Sequence, residues 1–179
     1  MEIETKRLVL RPLREEDAQA MGRAVNNFNV SRNLARVKFP YLLEDAQSFI
    51  TLQRGFDPRS KICAIAFRCA PDELIGVVAY EFSSEKNNTE FGYWLRECCW
   101  QMGIMSEAAA ALVAHAFTTS EITELHSACH LDNLNSSRIL HRLGFEMTCE
   151  EMHFSLAQNK DVPAARLRLT REAWFDVQK

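Results

Sequence analysis

The sequence predicts a single α/β (α+β) domain, in which a mixed central β-sheet carries helices on both faces in the order β-α-α-β-β-β-α-β-α-β-β. Two observations predict this class. In the middle of the chain, apolar runs are separated only by short polar turns, which is typical of antiparallel strands. Further on, a strand, a helix and a strand follow one another, which is typical of a parallel crossover. We expect one domain over 1–179, because 179 residues are too few for two ordinary domains.

The first strand and the first helix are predicted from the N-terminal segments. The run RLVLRPL (7–13) is predicted to be a strand. The segment 14–27 is predicted to be a helix, because acidic residues stand in its first turn, where the helix dipole favours negative charge. We expect Arg11 and Arg14 to be exposed to solvent.

A second helix and three strands complete the first half. The stretch 31–43 is expected to be irregular, and 43–56 is predicted to be a helix with Gly55 near its end. The turn residues Ala-Pro-Asp join the first two strands as a hairpin. The three predicted strands are 61–69, 73–82 and 87–96.

The period of the pattern changes after Gly103, where a helix is predicted because apolar residues recur at helical spacing on one face. These residues are Met105, Ala108, Ala109, Leu112, Val113, Ala116 and Phe117. A strand at 124–130 precedes a helix at 132–145, in which we expect Asn133 as the N-cap and Gly144 as the stop. The remaining segments are a strand at 145–157, a loop at 158–164 and a strand at 165–174.

The composition argues against several classes of partner. Apolar residues make up 47% and charged residues 25%, the balance of a soluble globular protein. A net charge of −3 does not favour nucleic acid or an anionic membrane, and no run of apolar residues is long enough to span a bilayer. The N-terminus lacks the features of a signal peptide, so a cytoplasmic protein is expected. Its oligomeric state, monomer or homodimer, stays open.

Cysteine and histidine spacing does not predict a metal site. None of the six cysteines forms a C-x-x-C motif, and the adjacent Cys98 and Cys99 fit neither a metal clip nor a disulfide, so reduced thiols are expected. His126 and His130 are four residues apart, but their segment alternates like a strand and no third ligand stands near. No metal cofactor is therefore expected.

Gly103 stands where a strand ends and a helix begins, and it is one of only six glycines. The first N–H groups of a helix have no internal partner, and the dipole adds positive charge, so such a start can hold a phosphate. Gly103 fits this role by letting the backbone approach an anion, or by adopting a dihedral that a side chain disfavours. An ordinary loop glycine is the alternative.

Asn133 and Ser136 stand at a second joint of the same kind, thirty residues further on. Consecutive parallel units should place their strands side by side, so both helix starts can face one ligand. Asn133 is expected to cap its helix as well, and the two roles are compatible.

Six segments, taken in order, resemble the GCN5-related N-acetyltransferases (GNAT), and within them the branch that acetylates ribosomal-protein N-termini. They are IETKRLVLRPLREEDA, ELIGVVAYEF, TEFGYWL, WQMGIMSEAAAALVAHAF, LDNLNSSRILHRLGFEMTCEE and LRLTREAW. The resemblance covers almost the whole chain. It implies an enzyme that transfers the acetyl group of acetyl-CoA to a primary amine by direct attack in a ternary complex.

The resemblance also implies which residues hold acetyl-CoA. Backbone groups near Trp94 and Leu95 would pair with the pantetheine arm, and one N–H there would hold the oxyanion. Asn133 would bond the pantetheine, Ser136 would donate a proton near the sulfur, and Arg138 would reach the 3′-phosphate. Six residues would wrap the pyrophosphate: Gln101, Met102, Gly103, Ile104, Met105 and Ser106.

One stretch departs from the family pattern. The family loop has glycine, a basic residue and glycine after the tryptophan, whereas this chain has Gln101-Met102-Gly103. One glycine and one positive charge are missing, which implies weaker phosphate binding. A CoA-binding module that has lost catalysis is therefore an alternative to an enzyme.

Glu90 matches a glutamate often found at this strand position in the branch, and it is the candidate general base, acting directly or through water. A solvated strand glutamate is the alternative. Glu107, in the first turn of its helix, is interpreted mainly as a dipole and packing residue. Cys98 and Cys99 have no recognisable base, which disfavours an acyl-enzyme. The acceptor is a peptide N-terminus or a small amine. The stretch 26–56 should build its pocket, but it carries no motif that distinguishes between these two classes of acceptor.

Overall fold

The computed structural model of the protein describes residues 2–53, 57–85 and 87–177. Gly55, which the sequence placed near a helix end, lies outside these ranges. The strands are β1 (Ile3–Glu4), β2 (Leu8–Pro12), β3 (Lys61–Phe67), β4 (Gly76–Ser83), β5 (Asn88–Leu95), β6 (Glu124–His130), β7 (Glu146–Ser155) and β8 (Lys160–Thr170). The helices are α1 (Asp17–Val25), α2 (Phe28–Ser31), α3 (Leu43–Leu52), α4 (Ile104–Thr119), α5 (Leu134–Arg142) and α6 (Arg171–Val177).

The strands form one mixed sheet in the order β1-β2-β3-β4-β5-β6-β8-β7, which confirms the predicted fold class. Strands β1 to β5 pair antiparallel with their neighbours in sequence. Strands β5 and β6 are parallel, and β8 lies antiparallel between β6 and β7. The single parallel pair therefore stands inside the sheet, between two antiparallel halves.

Helices cover both faces because successive side chains of a strand point to opposite sides of a sheet. On one face, α4 packs Leu112 into a core that includes Ile65 of β3. On the other face, Met21 of α1 and Ile50 of α3 pack over Ala64, the neighbour of Ile65. All seven apolar residues predicted on the inner face of α4 are buried.

A four-residue helix, α2, was not predicted, because a single turn is too short to show a period. The side chain of Asn27 caps it by accepting a hydrogen bond from the Asn29 N–H at 2.9 Å. The side-chain amides of both asparagines donate to Glu97 in a short 3₁₀ turn, Glu97–Cys99, after β5. These bonds hold α2 beside the end of β5.

The predicted loop at 158–164 is wrong for most of its length, because β8 begins within it. Pro163 favoured a loop, since proline has no N–H to donate to a sheet. In the structure, the Pro163 carbonyl faces β6 and accepts from the Leu131 N–H at 2.9 Å, just after β6 ends. The missing N–H lies on the same side, so the pairing of Pro163 with β7 is not interrupted.

The predicted strand at 165–174 is wrong at its end, where α6 follows β8. The Thr170 hydroxyl accepts from the Ala173 N–H at 3.2 Å, as an N-cap does. Trp174 is buried, with its ring 5.8 Å from that of Phe117. The residues before Thr170 alternate like a strand up to the cap, so the change of period is not visible in the sequence.

Arg11 was expected in solvent, but its side chain is only 1% exposed. Its guanidinium forms two bonds of 2.8 Å with the carboxylate of Asp17 at the start of α1. Its other N–H groups donate to the carbonyl oxygens of Pro12, Pro71 and Asp72. All five donors are thus used, and the pKa of Arg11 is raised, chiefly by the bond to Asp17. Arg14 is partly exposed, as expected.

We predict that Arg11→Met lowers the free energy of unfolding by about 3–5 kcal/mol, because it leaves the Asp17 carboxylate buried without its counter-ion. Arg14→Met is the matched control: Arg14 pairs with Asp72 at 2.6 Å, but the two side chains are 46% and 85% exposed. That variant should lose less than about 1 kcal/mol. Urea denaturation measures both, and equal losses would contradict the interpretation.

Candidate active site

Strands β5 and β6 are neighbours, as predicted, but their backbones separate almost at once. Glu90 and His126 are their one paired position. The Ser127 hydroxyl then donates to the carbonyl of Phe91 at 2.9 Å. Residues of both strands line a cavity of about 2270 Å³. Ligand pockets are usually about 300–1,000 Å³, so this cavity has room for two substrates together.

Some backbone N–H and C=O groups of β5 point into this gap. Arg96 N–H donates to the Ile75 carbonyl at 2.8 Å, which shows that every second residue of β5 directs its backbone groups toward β4 and the residues between them direct theirs away from it. Trp94 therefore bonds toward β4, whereas the backbone groups of Tyr93 and Leu95 face the gap. The Leu95 carbonyl accepts from the indole N–H of Trp100 at 2.8 Å, which ties the following turn to the end of β5.

The turn between β5 and α4 contains two left-handed residues. Gly103, the residue before α4, has φ 71° and ψ 9°, so one of its two suggested roles, an unusual dihedral, is present. A Cβ there would meet only the Arg7 guanidinium, at 3.6 Å, so the dihedral rather than space favours glycine. Gln101 also has a positive φ of 61°, at the position where the family pattern has its first glycine.

Arg7 and Glu107 fix this turn from outside the cavity. One Glu107 oxygen accepts from the Thr5 hydroxyl at 2.6 Å and the Arg7 N–H at 2.8 Å, and the other accepts from Arg7 Nε at 2.7 Å. Arg7 also donates to the Met102 carbonyl at 2.9 Å. Burial opposes ionisation of Glu107, but the bonds from Thr5 and Arg7 outweigh it and lower its pKa. Sequence reasoning missed Arg7, which lies about one hundred positions from its partners.

Most of the residues proposed for cofactor binding line the same cavity. They are Trp94, Leu95, Gln101, Gly103, Ile104, Met105, Ser106, Asn133, Ser136 and Arg138. Met102 is absent from the lining, and its side chain is exposed. The first intrahelical bond of α4 runs from Glu107 N–H to the Gly103 carbonyl at 3.1 Å. The backbone N–H groups of 104–106 therefore have no partner within the helix, and these residues lie at the cavity wall.

The start of α5 faces the gap from the same side of the sheet as α4. Asn133 Oδ1 accepts from the Ser136 N–H at 3.2 Å, which confirms Asn133 as the N-cap. The Ser136 hydroxyl lies 3.0 Å from the hydroxyl of Tyr93, which comes from β5. Tyr93 was not among the residues chosen from the sequence, because its position beside Ser136 depends on the pairing of β5 and β6.

Glu90 lies on the opposite face of β5, together with Trp94, because the two are separated by an even number of positions. Arg166 of β8 contacts Glu90 at 3.2 Å and Glu151 of β7 at 3.2 Å, and His153 contacts Glu151 at 2.5 Å. The candidate base and Ser136 thus approach the gap from opposite faces of the sheet. Arg166, far away in sequence, carried no signal of this role.

The cysteines and histidines form no second reactive centre in the part of the chain that is described. The sulfurs of Cys98 and Cys99 are 4.0 Å apart and share a weak hydrogen bond but no disulfide, and burial, with the neighbouring Cys98, raises the pKa of Cys99. His126 contacts Glu124 at 2.9 Å, and His130 is buried with a lowered pKa. Within the described ranges, no three His, Cys, Asp or Glu side chains converge as metal ligands, and no helix is long and apolar enough to cross a membrane.

Comparison with known proteins agrees with this geometry. Residues 7–146 match the Acetyltransferase (GNAT) domain family. The ribosomal-protein-serine acetyltransferase of Escherichia coli is 39% identical over 75 residues, which cover 41% of this chain and 42% of that protein. The uncharacterized N-acetyltransferase YoaA of Bacillus subtilis is 25% identical over 145 residues, which cover 80% of this chain and 82% of that protein.

Two solved structures share the fold. RimL, a ribosomal α-N-protein acetyltransferase in complex with coenzyme A, superposes with a TM-score of 0.80 at 21% identity, over 97% of this chain and 99% of that chain. The microcin C7 self-immunity acetyltransferase MccE, in complex with acetyl-CoA and AMP, gives a TM-score of 0.75 at 18% identity, over 93% of each chain. The family match over most of the chain defines an acyltransferase. The chain belongs to the GNAT acetyltransferase family, and it is an N-acetyltransferase.

We predict that Gln101→Gly raises the free energy of unfolding by about 0.5–1 kcal/mol. A non-glycine residue in the left-handed conformation carries about 1–2 kcal/mol of strain, which glycine removes. Part of that gain is offset because glycine raises the conformational entropy of the unfolded chain. Gly103→Ala should lower stability by about 1–2 kcal/mol for the converse reason.

Gln19→Gly, at an exposed position in α1, is the control for the same change of side chain, and it should lower stability by about 1 kcal/mol. Thermal and urea unfolding measure all three variants. If Gln101→Gly destabilises the protein as much as Gln19→Gly does, the left-handed strain assigned to Gln101 is wrong.

Proposed function

We propose that the protein transfers the acetyl group of acetyl-CoA to the α-amine of a peptide, with both substrates bound together. The observation that carries this proposal is the gap between β5 and β6, which opens a passage through the sheet between two helix starts and a carboxylate. Acetyl-CoA enters from the side of α4 and α5. The acceptor enters from the side of α1 and α3.

The proposed contacts to acetyl-CoA follow the cavity wall. The pyrophosphate binds the backbone of 101–106, where amides and the α4 dipole offer positive charge. The pantetheine arm bonds the gap-facing backbone of Tyr93 and Leu95 and the side chain of Asn133. Arg138 approaches the 3′-phosphate. One N–H of β5 near Leu95 holds the thioester oxygen as negative charge develops on it.

In the proposed reaction, the amine nitrogen attacks the thioester carbon, and the C–S bond then breaks with its electron pair on sulfur. Glu90 accepts the proton that the amine must lose, directly or through water. Ser136 donates its hydroxyl proton to the departing sulfur. The two groups act from opposite faces of the sheet, so neither competes with the other for its proton.

Cysteine chemistry has no part in this reaction. The raised pKa of Cys99 keeps it as a thiol, which is a poor nucleophile. Direct transfer between two bound substrates needs no acyl-enzyme. We also propose a cytoplasmic location, because the exposed Cys69, Cys98 and Cys149 are free thiols, and thiols stay reduced there.

A peptide acceptor is supported by the wall that faces Glu90. Much of it comes from the stretch after α1, which includes the apolar Leu34, Val37 and Phe49. Leu52, 65% exposed, and Leu156, 47% exposed, are further apolar residues of the lining. Exposed apolar side chains of this kind can pack against the side chains that follow a terminal amine. The similarity to a ribosomal-protein-serine acetyltransferase points to the same class of acceptor.

The acceptor is tested by mass shift with acetyl-CoA and a panel of amines. We expect one acetyl group on a peptide that begins with serine followed by an apolar residue, and none on the same peptide with a blocked N-terminus. For spermidine and for an aminoglycoside we expect a kcat/KM at least about tenfold lower than for the peptide, which is equivalent to about 1.4 kcal/mol. Acetylation of small amines alone would contradict the peptide assignment. Binding of acetyl-CoA without any transfer would favour a CoA-binding module that has lost catalysis.

The role of Glu90 is tested by Glu90→Gln, which keeps the shape of the side chain and removes the base. We expect kcat/KM to fall by roughly 10²-fold or more, while the affinity for acetyl-CoA is unchanged. Glu150→Gln is the control, because Glu150 is exposed on β7 outside the cavity lining, and it should keep the parent rate. A Glu90→Gln enzyme with parental kcat/KM would assign proton removal to water.

A further inference from the structure

Tyr93 stands at the point where β5 meets the first turn of α5. Its hydroxyl lies 3.0 Å from Ser136 Oγ and 3.3 Å from the Ser136 carbonyl oxygen. Its ring packs edge-on against Phe91, with centroids 5.7 Å apart, on the core face of the strand. The ring is thus held by the core, and the hydroxyl reaches a residue that the proposed reaction uses.

Tyr93 keeps its proton. Burial raises the pKa of Tyr93 above its ordinary value, and the hydrogen bond with Ser136 offsets only part of that effect. A phenol that stays neutral has one hydrogen to donate. The two acceptors within reach both belong to Ser136.

The Ser136 hydroxyl has one hydrogen and two lone pairs. Its backbone is fixed, because its N–H donates to Asn133 Oδ1 at 3.2 Å and α5 begins there. The remaining freedom is rotation of the side chain among its staggered rotamers. A donor on Oγ selects one rotamer, occupies one lone pair, and leaves the serine hydrogen free to point into the cavity.

We propose that Tyr93 is a positioning residue that acts through Ser136: it donates to Ser136 Oγ, orients the serine hydrogen toward the coenzyme A sulfur, and makes that hydrogen a better donor. This inference rests on the proposed function, in which Ser136 serves the leaving sulfur. Polarisation follows because hydrogen bonds in a chain strengthen one another in a medium of low dielectric constant.

The transfer of the Ser136 proton to the leaving sulfur needs no reagent other than water to balance its protons and electrons. When the C–S bond breaks, its electron pair stays on sulfur, and the Ser136 proton moves to it. The serine oxygen recovers a proton from water, and Glu90 then releases to solvent the proton that it took from the amine, which restores both the water and the carboxylate. Tyr93 keeps its own proton throughout and changes only the direction and acidity of the serine hydrogen.

A double-mutant cycle tests the proposal with Tyr93→Phe, Ser136→Ala and the double variant. Phenylalanine keeps the packing against Phe91 and removes only the hydroxyl. We expect Tyr93→Phe to lower kcat by about tenfold, as for one hydrogen bond, with the Kd for acetyl-CoA unchanged. In the Ser136→Ala background the same change should have almost no effect on kcat, because its target is gone.

Tyr80→Phe is the matched control. Tyr80 is a buried tyrosine of β4 that packs into the same core, but its hydroxyl contacts His115 at 3.4 Å, outside the cavity lining. This variant should keep the parent kcat. A cycle in which the effects of Tyr93→Phe and Ser136→Ala simply multiply would overturn the proposal, as would a parent-like kcat for Tyr93→Phe.

A second readout needs no acceptor. The thiol of bound coenzyme A is titrated by the ultraviolet absorbance of its thiolate in the parent, Tyr93→Phe and Ser136→Ala proteins. We expect the midpoint to rise by about one pH unit in both variants, because each loses donation to the thiolate, equivalent to a tenfold change in its ionisation. Equal midpoints in all three proteins would overturn the inference, even if the parent acetylates peptides. Failure of acetyl transfer with a shifted midpoint would instead contradict only the proposed function.

Discussion

The separation of β5 from β6 is the constraint on which the rest of the site depends. Two parallel strands that pair at one position leave backbone groups of β5 without a neighbouring strand, and a ligand can take that place. At the narrow end of the gap, the Ser127 hydroxyl donates a hydrogen bond to the Phe91 carbonyl. Because side chains from both faces of β5 line the cavity, groups from both faces can contact one ligand.

The turn before α4 shows how a distant segment, the turn between β1 and β2, can compensate for a local departure in sequence. Gln101 and Gly103 both adopt left-handed dihedrals, although only one of them is glycine. The Arg7–Glu107 pair holds the Met102 carbonyl and the first turn of α4 in place. The loop therefore keeps its shape through contacts with the turn between β1 and β2, and strain at Gln101 is offset by bonds made elsewhere.

The helical and strand periods predicted most of the fold correctly, and the errors have identifiable causes. The inner face of α4 and the Asn133 cap depend on neighbours in sequence, so both were predictable. The burial of Arg11 was not, because its environment is made by Asp17 and by carbonyls some sixty residues away. Pro163 hid the start of β8, because only the order of the neighbouring strands shows that its missing N–H interrupts no pairing with β7. The end of β8 was missed because the residues before the Thr170 cap alternate like a strand.

For the candidate site, the sequence by itself determined the two strand-to-helix joints and the family whose motifs they carry. Those motifs are local, and local dihedrals and helix starts follow from nearby residues. Only the tertiary structure decided that Tyr93 meets Ser136, that Arg166 meets Glu90, and that Arg7 meets the turn. These contacts join segments about forty to one hundred positions apart, and their geometry is set by sheet order and register, which residue spacing along one chain does not encode.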